Sequence, residues 1–139
     1  MRQQVIAGLP PVYDRCVEVF GAEAIVGRPI LWAWGDRIYN PLGVDIPREL
    51  MAHERVHGER QGSSDAQIRE WWDQYLVDRE FRFKEELLAH RAEWRTYQRW
   101  HPGQDGQPML DAMAARLASE MYGRMVPAAA ARHAILARG

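Results

Sequence analysis

PRELMAHERVHGERQG, residues 47–62, decides how this chain is read. Pro47 suits the first position of a helix and Gly62 its end. Between them His53 and His57 stand four residues apart. On a helix that spacing stacks the two side chains on one face. Two imidazoles so placed can reach one metal ion at about 2.0–2.1 Å. Glu54 is turned about 100° from His53, beside such an ion rather than on it. From there its carboxylate can accept a proton from a water on the metal, because zinc lowers the pKa of that water to about 7. Leu50, Met51 and Val56 are available to anchor the helix. The plainer alternative is an exposed helix whose His and Glu residues are merely solvated.

A catalytic zinc ion usually has three protein ligands and one open position. The reading therefore moves to the next long helix, from about Arg79 to Trp100, which offers Glu80, Glu85, Glu86, His90 and Glu93. Phe83, Leu87, Trp94 and Tyr97 define its apolar stripe. At about 100° per residue, Glu86 and His90 border or lie within that stripe, while Glu85 points nearly the opposite way. Glu86 is thus the expected third ligand and Glu85 a surface charge near Arg82 and Lys84. His90, one turn beyond Glu86, could ligate directly, orient Glu86 or bind substrate.

Further outward, residues 11–21 read as a short helix with Val12, Cys16, Val19 and Phe20 on one side and Gly21 as its stop. PILWAWGDRIY, residues 29–39, reads as a β-hairpin turning at Gly35-Asp36. Trp32 and Trp34 alternate on one strand face and suit a core more than a substrate floor. Ser64 with Gln67 has the form of a capping box and opens a helix through Val77, with a break near Asp78. A loop through Pro108, a helix from about Met109 to Tyr122 and an Ala-rich helix after Pro127 complete the chain. Trp71, Trp72, Trp94 and Trp100 read as packing residues, Arg91, Arg95 and Arg99 as a solvated stripe, and His133 as a surface residue. The fold class is α+β and mostly helical, with a small hairpin or sheet preceding the histidine helix.

The 139 residues suit a single domain, and 47% hydrophobic content can fill one modest core. A net charge of −1 gives no field to attract nucleic acid or an anionic membrane. The single cysteine, Cys16, excludes an internal disulfide and reads as a small buried apolar residue. MRQQVIAGLPPVYDR lacks the apolar run of a signal peptide, so the expected location is cytoplasmic.

His53-Glu54-x-x-His57 followed by Glu86-Leu87-Leu88-Ala89 resembles the gluzincin metallopeptidases, whose third ligand is a Glu on a later helix, often in an E-x-x-A pattern. WGDRIYNP, HERVHGERQ, YLVDREFRFKEELLAHRAE and, more loosely, SEMYGRM are similar to small metallopeptidases of bacterial and phage genomes. The resemblance implies a zincin-like domain with zinc held by His53, His57 and Glu86, and Glu54 as general base in peptide-bond hydrolysis. It implies that the hairpin around residues 31–39 rims the cleft and pairs with substrate as an added strand. Tyr122, in a Tyr-Gly pair shared with the phage-type relatives, is the candidate oxyanion donor. A structural role for Tyr122 is the alternative. Many gluzincins place an Asp four residues after the ligand Glu to support a zinc histidine, and here that position is His90. The implied partner is a peptide or protein substrate. Two other readings are a phage-particle or assembly protein with a structural or vestigial zinc site, and a zinc amidase acting on cell-wall material.

Overall fold

A computed structural model of the chain describes residues 3–137. In chain order the elements are β1 (Gln4–Ile6), α1 (Tyr13–Phe20), α2 (Ala22–Ile25), β2 (Trp32–Trp34), β3 (Arg37–Tyr39), α3 (Arg48–Gln61), α4 (Asp65–Val77), α5 (Arg79–Trp100), α6 (Gln107–Leu117), a 3-10 turn (Glu120–Tyr122) and α7 (Ala128–Leu136). The architecture is α+β and mostly helical, as the periodicities predict. The described residues form two compact units: one holds the chain to Ile46 together with Glu54–Val77, the other Pro47–His53 and everything from Asp78 onward.

The first unit is built on a three-stranded sheet in the order β1-β3-β2. The hairpin turns at Gly35-Asp36 and pairs Trp34 with Arg37. Gly35 has φ +58, the positive value that tight hairpin turns demand. Its N–H donates to Gln61 Oε1 at 2.7 Å. The Gln61 amide in turn donates to the Ala33 carbonyl at 3.0 Å, and Trp72 Nε1 donates to the same oxygen at 3.1 Å. β1 runs parallel to β3 and is not foreseen from sequence, because three largely exposed residues carry no alternation to read.

Helix α4 buries Ile68, Trp71, Trp72, Tyr75 and Leu76, an i, i+3, i+4, i+7 pattern. The capping box forms: Gln67 N–H donates to Ser64 Oγ and Ser64 N–H to Gln67 Oε1, each at 3.2 Å. Trp32 and Trp34 are buried, as a core role requires. On α1, Cys16 is buried and burial pushes its thiol pKa up. Val19, placed on the same inner side by sequence, is instead 44% exposed.

In the second unit Asp78 caps α5, its Oδ1 accepting from Phe81 N–H at 3.1 Å. The predicted stripe of α5 packs as read: Trp94 joins Leu110, Met113, Ala114, Leu117, Ala131 and Ile135 in the core, with Phe83, Leu87 and Tyr97 against it. Helix α6 starts earlier than expected, because Pro108 sits inside its first turn, where a missing N–H costs nothing. It also ends earlier, at Leu117. Trp100, read as a packing residue, is 50% exposed, with the Arg48 guanidinium 3.6 Å above its ring. Arg91 is not simply solvated, since its Nε donates to the Ala134 carbonyl near the end of α7 at 2.9 Å. Among the described residues, no helix is long and apolar enough to cross a membrane.

Candidate metal centre

Helix α3 carries three of the residues singled out by sequence. His53 and His57 lie one turn apart on it, and Glu54 follows His53 directly; all three are buried. Within the first unit, the His57 ring is walled by Trp71, with centroids 5.4 Å apart, and by Tyr75 at 6.3 Å. Trp71 and Tyr75 stack on each other at 4.9 Å. This aromatic wall comes from the buried stripe of α4, and it keeps the imidazole in an apolar setting.

Within the second unit, His53 meets the buried polar face of α5. Its Nε2 lies 3.2 Å from Glu86 Oε1, and its Nδ1 lies 2.8 Å from Glu93 Oε1. The other oxygen of Glu93 accepts from Arg116 Nη2 of α6 at 2.8 Å. Burial acts to raise the Glu93 pKa, but the hydrogen bond from His53 and the charges of His53 and Arg116 outweigh it and hold the carboxyl below its ordinary value. Glu93 is therefore an ionised acceptor, and His53 Nδ1 is the donor.

His90 lies against the same cluster, its ring 4.8 Å from that of His53. Burial, helped by the charge of His53, pushes its pKa down to about 4, so it is neutral at pH 7. Its Nδ1 faces the Glu86 carbonyl at 2.6 Å. A carbonyl only accepts, so Nδ1 carries the proton and Nε2 keeps its lone pair. That Nε2 is buried and has no hydrogen-bond partner among the described residues. Tyr122, half-buried in its 3-10 turn, stands 6.1 Å from His90, ring to ring.

The donors suit a borderline divalent ion. Imidazole nitrogen and carboxylate oxygen both bind zinc at about 2.0–2.2 Å, and two ligand atoms on a tetrahedral ion are then roughly 3.3–3.6 Å apart. The 3.2 Å between His53 Nε2 and Glu86 Oε1 is close to that edge. A zinc-bound His usually donates its second ring N–H to a carboxylate, and Glu93 stands where that carboxylate is needed. His53, His90 and Glu93 also offer ligand atoms within 4.8 Å of one another, but both Glu93 oxygens are already engaged.

Two sequence expectations change here. Glu85, read as a surface charge, is 1% exposed. The apolar stripe marked only the side of α5 that meets α6 and α7; a buried polar face leaves no hydrophobic signal. The support for a zinc histidine, absent at position 90, is available from position 93. Glu86, His90 and Glu93 recur at intervals of four and three, a helical face that could have been read directly. Arg116 had no sequence signal. Compared with family models, curated proteins and solved structures, the chain matches none of them.

Proposed function

We propose that the chain is a zinc-dependent peptidase of minimal zincin-like design. On this reading His53 and Glu86 would hold the ion together with His57, one turn further along α3, and Glu54 would be the general base. One observation carries the reading: His53 turns one ring nitrogen to Glu86 at tetrahedral-edge distance and the other to a supporting carboxylate, and His57 follows one turn later on the same helix. Bound there, zinc supplies a Lewis acid that acidifies water and polarises a peptide carbonyl. Glu54 takes a proton from the attacking water as its oxygen adds to the carbonyl carbon. When the C–N bond breaks, Glu54 returns that proton to the leaving amine. Tyr122 is the candidate donor to the developing oxyanion.

Glu54→Gln should keep stoichiometric zinc by elemental analysis and lose about 10²–10⁴-fold in cleavage of a quenched-fluorescent peptide library. Wild-type cleavage by this variant would remove Glu54 from the role of base. Cleavage of peptidoglycan fragments with none of peptides would redirect the same chemistry to cell-wall amides.

The near-complete burial of His53, His57 and Glu86 favours a second reading, a structural ion in a binding or assembly protein. A structural ion is coupled to folding, so a chelator would unfold the chain.

A further inference from the structure

We propose that Arg116 acts through Glu93 to hold His53 in the tautomer that can ligate metal. The relay runs Arg116 Nη2 to Glu93 Oε2 and Glu93 Oε1 to His53 Nδ1, each at 2.8 Å. This inference rests on the proposed role of His53 as a ligand.

The geometry separates the two ends of the carboxylate. Glu93 is fully buried, and each of its oxygens has one strong donor. Arg116 has five N–H donors and no acceptor, so whatever stands at position 93 must turn an acceptor toward it. A carboxylate has two acceptor ends and satisfies Arg116 and His53 together. It thereby keeps the proton on Nδ1, so that an ion placed between Nε2 and Glu86 would meet the Nε2 lone pair rather than an N–H. His90 does not compete for Glu93, because its own Nδ1 is committed to the Glu86 carbonyl. Arg116 is a positioning residue: it touches neither substrate nor metal and works one residue removed.

The relay makes a directional claim about glutamine at position 93. Glu93→Gln is nearly isosteric, but an amide has one acceptor end and one donor end. Arg116 takes the oxygen, so the NH2 is left facing His53 Nδ1. That nitrogen must then accept, which places the proton on Nε2 and blocks ligation. Glu93→Gln should weaken zinc binding about 10–100-fold, the range for losing an outer partner of a ligand. Adding Arg116→Met frees the amide to rotate, its oxygen then accepts from Nδ1, and most of the lost affinity returns.

The experiment measures zinc affinity by competition with a chromophoric chelator for the full chain and for Glu93→Gln, Arg116→Met and the double variant. Circular dichroism confirms the helical fold of each, and Arg116→Ala serves as a second variant at a half-exposed position. The relay predicts that the double variant binds zinc more tightly than Glu93→Gln alone. If wild type binds zinc and the double variant is as weak as Glu93→Gln or weaker, the relay is wrong and Arg116 only neutralises a buried charge. Recovery of affinity without any hydrolysis upholds the relay while the peptidase reading fails. A wild-type chain with no zinc affinity overturns both.

Discussion

At the scale of single residues, the histidine pair and Glu54 were legible because their signal is local: spacing along one helix fixes relative direction. Glu86 could be ranked above its neighbours only by reference to the apolar stripe of α5. That argument turned Glu86 inward, where it stands buried beside His53, and misplaced Glu85, since a helix covered on more than one side shows its hydrophobic stripe on only one of them. Glu93 shares the helical spacing of Glu86 and His90, whereas its partner Arg116 depends on a meeting between α5 and α6 that no spacing encodes. Buried His90 has a consequence for acid stability of the metal-free protein. Its folded pKa, about 4, lies below the ordinary 6.5, so the unfolded chain binds the proton more readily. The stability it contributes is complete above about pH 6.5 and is lost as pH falls from there toward 4. Linkage sets the loss at up to about 3 kcal/mol. Urea midpoints at pH 7 and pH 5 in the presence of a chelator should differ in that direction, and the difference should shrink in His90→Gln. Glu93, whose folded pKa is also lowered, adds to the loss at still lower pH, as pH passes through its folded value.

At the scale of elements, the chain punctuates itself clearly. Asp78 separates α4 from α5 by capping the longer helix, and sequence could see it because an acceptor side chain followed by a helical run is an N-terminal signal. Asp78→Ala should cost about 1 kcal/mol in chemical unfolding. A loss under about 0.3 kcal/mol would mean that the cap is idle. The region after α6 was read less well. Sequence continued the helix to Tyr122, whereas the chain leaves it at Leu117 and re-forms a single 3-10 turn that Gly123 closes at φ 83. Arg82 Nη1 donates to the Met121 carbonyl of that turn at 2.7 Å, a tertiary bond that local propensity cannot report. α2 and β1, at four and three residues, are too short for any period to register.

At the scale of the whole molecule, the fold class followed from the count and length of helical patterns, while the division into two compact units had no counterpart in composition. A ligand that binds only the folded chain stabilises it by mass action, by about 2.7 kcal/mol at a hundredfold excess over Kd. Zinc should therefore raise the urea midpoint of the wild type. A chelator should reverse that shift and leave far-UV circular dichroism close to its starting value. Collapse of the helical signal on chelation would move the ion from chemistry to architecture. Ala33 adds a further consequence. In the two-residue hairpin, Trp34 and Arg37 form the bonded pair, so the Ala33 carbonyl faces away from β3, along the outer margin of the sheet. Gln61 and Trp72 together use both of its lone pairs. A chain laid along that margin finds the Ala33 carbonyl already engaged, so the two side chains that fix the hairpin also oppose, at Ala33, the added-strand pairing with substrate that the resemblance implies.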